Sequence, residues 1–174
     1  MSAPGNLRAA EDTRSNWETP AELYAQLDSI FLFTLDAAAD RYNVKCPSYL
    51  SGPCKADPCY TCGLHQTYWG DTVWCNPPYG REISDWVEKF AAESALSTAE
   101  SCATTIVALL PANTDTKWFS RVWWTASEIW FLTRRVQFVG TTSSNPGGSM
   151  VAIYRPRPEG LSTGPVVRLW DWQK

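Results

Sequence analysis

The sequence predicts an α/β fold built on a doubly wound, mostly parallel sheet with helices on both of its faces. Short apolar segments at 31–36, 72–75 and 104–110 are typical of buried strands, and they alternate with segments whose apolar residues recur at helical spacing. This alternation indicates parallel strands, because a parallel connection needs a crossover that is usually a helix. The length of 174 residues fits a single domain with a substantial core.

The first predicted element is a helix over residues 20–30. Thr19-Pro20-Ala21-Glu22 has the form of a capping box, with proline at the first helical position. Leu23, Leu27 and Ile30 then recur at helical spacing, so we expect them to share one buried face.

A short buried strand is predicted at 31–36, ending at Asp36 just before the small run Ala37-Ala38-Ala39. An alternative role for Asp36 is the N-cap of a following helix, since aspartate is a favoured N-cap residue. The segment 43–69 is rich in Cys, Pro and Gly, so it is predicted to be an irregular insert.

The second half of the chain continues the alternation of strands and helices. Pro111 ends the strand at 104–110, and Asp115 can cap a short helix that runs through Val122. The other predicted elements are the strand Thr72–Cys75, a helix from Ile83 to about Ala95, and the strands Glu128–Leu132 and Met150–Tyr154 with the loop Thr141–Ser149 between them.

Both ends of the chain are predicted to lie outside this regular structure. Residues 1–15 are small and polar, without the apolar core of a signal peptide, and are expected to form a flexible terminus before a domain at 16–174. Residues 155–174 are expected to form a tail that packs through Leu169, Trp170 and Trp172. No apolar run approaches the ~20 residues that span a bilayer, so a cytoplasmic protein with no membrane partner is predicted.

The charge is unevenly distributed along the chain. Residues 1–116 hold seven Lys/Arg and fifteen Asp/Glu, a net charge of −8, whereas residues 117–174 hold eight and three, a net charge of +5. A basic C-terminal third on an acidic body could steer a phosphate backbone to one face. The alternative is that these basic residues are scattered solvated side chains.

The most informative segment is Val73-Trp74-Cys75-Asn76-Pro77-Pro78-Tyr79-Gly80. The two prolines lack backbone donors and stiffen a turn at the carboxyl end of a strand, where open α/β sheets bind ligands. The Asn76 side chain and the Pro77 carbonyl offer two acceptors to the amino group of a planar base, and the Tyr79 ring can stack on that base. Asn76, Pro77, Pro78 and Tyr79 are therefore the candidate catalytic residues, and an ordinary turn is the alternative.

The insert contains a candidate zinc site. Cys54, Cys59, Cys62 and His65 have the spacing C-x4-C-x2-C-x2-H, and four such ligands can close a tetrahedral site. Cys46 is an alternative fourth ligand. Free thiols, a disulfide formed after purification and an iron–sulfur site are the other interpretations.

Several blocks occur in a characteristic order along the chain. These are Trp17-Glu18-Thr19-Pro20, Leu35-Asp36-Ala37-Ala38-Ala39, Trp69-Gly70 with the segment 73–80, Leu110-Pro111-Ala112-Asn113-Thr114-Asp115-Thr116-Lys117-Trp118-Phe119, and Ser149-Met150. In this combination, residues 16–155 resemble the small phage-type Dam family of DNA adenine methyltransferases. The resemblance implies a Rossmann-like class I methyltransferase fold, S-adenosylmethionine as cofactor and double-stranded DNA as partner.

The resemblance also implies roles for individual residues. Asp36, Ala37 and Ala38 would form the cofactor loop, although alanines stand where many related enzymes have glycines. Asn76 would contact both cofactor and base. Trp17, Thr19 and Pro20 would pack near the methionine end of the cofactor. The acid that binds the ribose stays open among Asp40, Asp57 and Asp71, and the residues expected to contact DNA are Tyr79, Lys117, Arg134 and Arg135.

Two other functions are compatible with the same residues. A methyltransferase could act on another planar amine, such as the amino group of cytosine, an RNA adenine or a protein glutamine. A zinc-containing nucleic-acid-binding protein without turnover would explain the cysteines and the basic C-terminal third, but not the segment 76–79.

Overall fold

A computed structural model describes residues 17–52, 61–66, 69–70, 72–96, 104–141, 147–156 and 163–173. Their helices are α1 (Ala21–Phe31), α2 (Ile83–Leu96) and α3 (Lys117–Thr125). Their strands are β1 (Leu35–Ala39), β2 (Ser48–Ser51), β3 (Thr72–Cys75), β4 (Thr105–Pro111), β5 (Glu128–Leu132), β6 (Ser149–Tyr154) and β7 (Val166–Trp170). No helix of these ranges is long and apolar enough to cross a membrane.

The seven strands form one sheet in the order β2-β1-β3-β4-β6-β5-β7. All neighbouring pairs are parallel except those that β6 makes with β4 and β5. Six strands therefore run in one direction, which confirms the mostly parallel sheet predicted from the sequence. The carboxyl ends of β1, β3, β4 and β5 lie at the same edge, and β6 begins at that edge.

Side chains of successive strand residues enter two different cores. In β3, Val73 and Cys75 belong to one core and Trp74 to the other. The first core is covered by α2 and α3, and the second by α1, which contributes Leu23 and Leu27. The sheet thus has helices on both faces, as predicted. The turns that connect β3 to α2 and β4 to α3 lie at the edge where these parallel strands end, which we call the carboxyl edge.

The boundary between α1 and β1 differs from the prediction. The helix includes Phe31, and Leu32 ends it in the left-handed conformation (φ 57°), with its N–H donating to the Asp28 carbonyl over 2.8 Å. The Asp28 side chain also accepts from the Phe33 N–H. The predicted strand is therefore present with different bounds: it runs from Leu35 to Ala39 and not over 31–36, and Asp36 lies inside β1 rather than at its end.

The predicted start and buried face of α1 also need correction. Pro20 is the N-cap and no side chain caps the helix, so the capping box from Thr19 to Glu22 does not form. Thr19 is instead buried in the site described below. Leu23 and Leu27 are buried as predicted, but Ile30, in the last turn of α1, is 57% exposed.

Regular structure extends further than the sequence predicted in the remaining segments. The insert contributes β2, which pairs with β1, and the tail contributes β7, which pairs with β5. Trp172 is buried as predicted, whereas Leu169 is 78% exposed on the edge strand. Thr116, not Asp115, caps α3, since its hydroxyl accepts from the Phe119 N–H over 3.3 Å.

A buried ion pair attaches the described end of the insert to α2. Lys89 Nζ lies 2.6 Å from Glu93 Oε1, and the Glu93 side chain is 3% exposed. Lys89 also donates to the Gln66 carbonyl, while the second Glu93 oxygen accepts from the Trp69 N–H over 3.4 Å. One cation and one anion therefore hold Gln66 and Trp69 against the helix.

We expect Lys89→Met to lower the free energy of unfolding by roughly 3 kcal/mol, because it leaves the Glu93 carboxylate buried without its cation. Arg121→Met is the matched control, since the Arg121–Glu88 pair is exposed and should contribute under about 1 kcal/mol. Urea unfolding of both variants measures the difference. Equal losses in the two variants would show that the Lys89 pair does not hold the insert.

Candidate active site

The candidate catalytic segment lies at the carboxyl edge of the sheet. Asn76 follows directly after β3, whose last residue, Cys75, is paired with Ala108 of β4. Pro77 and Pro78 are buried. Because they have no N–H to donate, the chain leaves the sheet here without creating buried unpaired donors. The turn can therefore be buried without the hydrogen bonds that a β-strand makes with its neighbours.

The two ends of the Asn76 amide have different environments. Its Nδ2 donates to the Trp17 carbonyl over 2.6 Å. Its Oδ1 is buried and has no hydrogen-bond partner within the described ranges. An unpaired buried acceptor is costly, so such atoms in native proteins call for an explanation, and a ligand donor is one.

Tyr79 is held in a fixed position next to this amide. Its hydroxyl donates to the Leu109 carbonyl over 3.0 Å, and burial raises its pKa well above the ordinary value. Its ring makes edge contacts with Trp17 and Phe138, with centroids 5.8 and 5.9 Å apart. The three rings form an aromatic cluster, Trp17–Tyr79–Phe138, beside the Asn76 amide.

Residues 17–19 form a strap across the carboxyl edge. The Trp17 ring stacks on Phe138 at 4.9 Å with an interplanar angle of 29°. The Glu18 carbonyl accepts from the Val139 N–H over 2.9 Å, and the Glu18 carboxylate lies 3.0 Å from Lys45 Nζ. The strap is thus attached both to the segment after β5 and to the segment after β1, and it carries the carbonyl that holds Asn76.

An open cleft lies between the strap, β1 and Asn76. Its lining consists of Trp17, Glu18, Thr19, Asp36, Ala38, Asn43, Lys45, Trp74 and Asn76. Five of the seven residues predicted to bind the cofactor therefore line one cleft.

The other two predicted cofactor residues do not line this cleft. Ala37 is fully buried in the core between the sheet and α2, and Pro20 is the N-cap of α1. Four further lining residues were not predicted from the sequence: Glu18, Asn43, Lys45 and Trp74. No periodicity or motif in the sequence marks Lys45 as a residue of the site, because its position next to β1 depends on the fold.

Asp36 is a buried carboxylate at the floor of the cleft. Its oxygens accept from the Lys45 N–H over 3.1 Å and from the Ala38 N–H over 3.3 Å. Burial raises its pKa to about 6, although these two hydrogen bonds and the Lys45 charge oppose that rise. Because Asp36 lies within β1, the alternative role as a helix N-cap is wrong.

The candidates for the acid that binds the ribose are only partly placed. Asp40 accepts from the N–H groups of Tyr42 and Asn43 over 2.7 and 3.1 Å, which stabilises the turn after β1. Asp57 and Asp71 lie outside the described residues.

The side chains predicted to contact DNA occur on connections at the same edge of the sheet. Lys117 is the exposed first residue of α3, in the connection after β4, and Arg134 and Arg135 follow β5. Arg134 is exposed and pairs with Asp171 over 3.2 Å. Lys117, Arg134 and Arg135 thus lie on connections at the same edge of the sheet as the turn that carries Asn76 and Tyr79.

The predicted zinc ligands are only partly within the described residues. Cys62 Sγ lies 3.0 Å from His65 Nδ1, which brings two of the four together. Cys54 and Cys59 lie outside the described ranges, and within those ranges no group of three His, Cys, Asp or Glu could hold a metal. Cys46 belongs to the core on the α1 side of the sheet, where its thiol hydrogen bonds to Tyr24 over 3.3 Å. This arrangement argues against Cys46 as a ligand.

The raised pKa of Asp36 predicts a specific pH dependence of stability. A carboxyl group whose pKa rises from 3.8 to about 6 on folding stabilises the fold when protonated, and that contribution is lost as the pH rises through about 6. The free energy of unfolding of the wild type, minus that of Asp36→Asn, should fall by roughly 2 to 3 kcal/mol between about pH 4 and pH 7. Urea unfolding at several pH values measures this difference, and a flat profile would contradict the assignment.

Comparisons with known proteins place the chain in a family. Residues 7–168 match the family model "DNA N-6-adenine-methyltransferase (Dam)". The DNA N-6-adenine-methyltransferase of Escherichia phage T1 is 34% identical over 119 residues, which are 67% of this chain but only 44% of that protein. The enzyme of the same name from Haemophilus phage HP1 (strain HP1c1) is 26% identical over 149 residues, 81% of this chain and 79% of that protein.

A solved structure supports the fold alone. A Listeria monocytogenes protein assigned to the class I S-adenosylmethionine-dependent methyltransferases superposes with a TM-score of 0.56 at 10% identity. The match covers 97% of this chain and 70% of that one. The sheet described above is thus of the Rossmann-like, class I methyltransferase type. The family match over most of its length shows that the chain belongs to the DNA N-6-adenine-methyltransferase (Dam) family.

Proposed function

We propose that this protein transfers a methyl group from S-adenosylmethionine to the exocyclic amino group of an adenine in double-stranded DNA. The observation that carries this proposal is the buried, unpaired Asn76 Oδ1 at the carboxyl edge of the sheet. The names of the two phage relatives support adenine as the target. Because the chain spans less than half of the phage T1 protein, its own activity has to be tested directly.

The residues of the cleft fit the cofactor. When bound, S-adenosylmethionine supplies an electrophilic methyl group on a sulfonium. Trp17, Thr19, Asp36, Ala38 and Asn76 line the cleft and would hold it. The Asn76 acceptor next to the cleft would face the point at which the amine and the methyl group meet.

The protein's contribution to the reaction is to position and polarise the amine. The lone pair of the adenine amino group is delocalised into the ring, so the amine is a poor nucleophile. Hydrogen bonds to Asn76 Oδ1 and to the Pro77 carbonyl favour a pyramidal nitrogen whose lone pair is available. Because Trp17 already fixes the amide, no reorganisation is needed at this step, and no strong general base is required.

A base in a stacked duplex cannot reach Asn76, so the adenine must leave the helix at a cost of a few kcal/mol. The cluster Trp17–Tyr79–Phe138 offers aromatic surface beside the amide. Stacking on Tyr79 would recover roughly 1–3 kcal/mol of that cost. The anchored Tyr79 hydroxyl lowers the entropy that the ring would lose on stacking.

Lys117, Arg134 and Arg135 are proposed to contact the DNA backbone near the extruded base. Support comes from their positions on connections at the edge that carries Asn76. Contacts of this kind make the affinity for DNA fall with rising salt concentration.

We also propose that residues 16–174 form one domain and that the protein acts in the cytoplasm of a bacterial host.

A zinc site formed by Cys54, Cys59, Cys62 and His65 is a separate proposal. The 3.0 Å contact between Cys62 and His65 supports it. Elemental analysis of the purified protein, with Cys62→Ser as the comparison, tests it. One equivalent of zinc that the variant loses would support the site, and absence of zinc in the wild type would contradict it.

The experiment that tests the main proposal is transfer of labelled methyl from S-adenosylmethionine to unmethylated duplex DNA, followed by nucleoside analysis. Label in N6-methyl-2′-deoxyadenosine is the expected result. Label in a methylated deoxycytidine, or only with RNA or protein as acceptor, would show a different substrate. Binding of the cofactor without transfer to any acceptor would overturn the proposal.

We expect Asn76→Ala to lower the rate of transfer at saturating substrate by at least about 100-fold, because it removes a preorganised group that acts on the reacting amine. Cofactor binding should change by no more than a few fold, as calorimetry can show. Transfer at the wild-type rate in this variant would contradict the role of Asn76.

Asn76→Asp tests the donor end of the Asn76 amide separately from its acceptor end. The carboxylate keeps an acceptor but cannot donate to the Trp17 carbonyl, which it would repel at the 2.6 Å separation. We therefore expect transfer to fall by about 10-fold or more, together with a lower melting temperature. If Asn76→Asp were fully active and equally stable, the Trp17 contact would not be what orients the side chain.

A further inference from the structure

The cleft beside Asn76 holds a lysine that the proposed reaction does not use. Lys45 Nζ lies 3.0 Å from Glu18 Oε1, and the Lys45 side chain is only 14% exposed. The Lys45 N–H donates to Asp36, so the backbone at this position is fixed to the floor of the cleft. Lys45 and Glu18 both line the cleft, and the cation is therefore available to a ligand there.

The position of the cleft limits which part of the cofactor can lie in it. Asn76 is one of the lining residues, and the methyl group must reach an amine held at Asn76. The sulfonium would therefore lie beside the cleft, and the group that faces Lys45 is either the adenosine or the amino-acid end.

The polarity of the lining agrees with an amino-acid end. Six of its nine residues carry polar or charged side chains, and they include one cation and two acids: Glu18, Thr19, Asp36, Asn43, Lys45 and Asn76. An α-amino acid is a zwitterion, which is poorly stabilised in an apolar pocket but is matched by opposite charges placed close together. Lys45 is the only cation among these lining residues.

We propose that Lys45 binds the α-carboxylate of the methionine end of S-adenosylmethionine, an inference that rests on the proposed function. Glu18 neutralises Lys45 while the cleft is empty and keeps its side chain directed into the cleft. A ligand carboxylate then joins Glu18 at the ammonium. Lys45 is a binding residue for the cofactor and takes no part in the methyl transfer itself.

Two ligands that differ by one carboxylate test this proposal without any DNA. Calorimetry measures binding of S-adenosylmethionine and of its decarboxylated analogue to the wild type and to Lys45→Met. We expect the variant to bind S-adenosylmethionine about 10- to 100-fold more weakly, as the loss of a charge-assisted hydrogen bond predicts. Its affinity for the decarboxylated analogue should change less than about threefold.

A purely structural role for Lys45 predicts a different result. If the Lys45–Glu18 pair only holds the strap, Lys45→Met weakens both ligands equally, and that outcome overturns the proposal. An unchanged affinity for both ligands also overturns it. Because the assay contains no DNA, failure of methyl transfer with intact cofactor discrimination would count against the proposed function and not against Lys45.

Glu18→Gln provides a second variant if Lys45→Met does not fold. It keeps the cation and removes the competing carboxylate, so the proposal predicts an equal or higher affinity for S-adenosylmethionine. The strap interpretation predicts a lower affinity for both ligands, since the ion pair is broken. A loss of affinity in Glu18→Gln that is the same for both ligands would therefore contradict the proposal.

Discussion

The hydrogen bond from Asn76 Nδ2 to the Trp17 carbonyl determines how the rest of the site is arranged. A side-chain amide has one donor end and one acceptor end, so binding the donor end fixes the direction of the acceptor. In this protein the donor end is bound at 2.6 Å, and the acceptor end is buried and has no partner among the described residues. A group that is already oriented needs no rearrangement when its ligand arrives, and that is the basis of electrostatic preorganisation.

This bond in turn depends on contacts that hold the strap, residues 17–19. Phe138 stacks on Trp17, Val139 donates to Glu18, and Lys45 pairs with Glu18. These contacts come from the connections after β5 and β1, which the parallel sheet brings to one edge. The geometry of a single amide is therefore maintained by three chain segments that are distant in sequence. A substitution at Phe138, which stacks on Trp17 rather than on the amide, should consequently affect the amide's orientation.

The sequence predicted what depends on local patterns. The strand Thr72–Cys75 and the turn at 76–79 followed from an apolar run that meets two prolines, and both positions agree with the structure. The boundary before β1 was predicted wrongly, because the Asp28 side chain stabilises a left-handed residue at Leu32 that the apolar run 31–36 conceals. Similarly, Ile30 matches the helical period, but it is exposed while Leu23 and Leu27 are buried.

The charged part of the cleft could not be predicted because it depends on tertiary contacts. Lys45 lies in a segment without periodicity, and Glu18 precedes α1 in the sequence. Only the fold brings Lys45 Nζ to within 3.0 Å of Glu18 Oε1. The burial of Asp36 was equally hidden, since its place inside β1 depends on where α1 ends. The residues that the resemblance supplied, Trp17, Thr19 and Asp36, converge on the same cleft as these unpredicted ones.

The most direct test of this preorganisation is an NMR measurement on the Asn76 side chain in protein labelled with ¹⁵N and ¹³C. A scalar coupling across the hydrogen bond between Asn76 Nδ2 and the Trp17 carbonyl carbon reports the orientation of the amide without any substitution. We expect the coupling and slow exchange of one amide proton in the free protein, and we expect both to persist when S-adenosylhomocysteine is bound. A rapidly exchanging amide without this coupling would show that the Asn76 acceptor is not oriented in advance, and would contradict its central role.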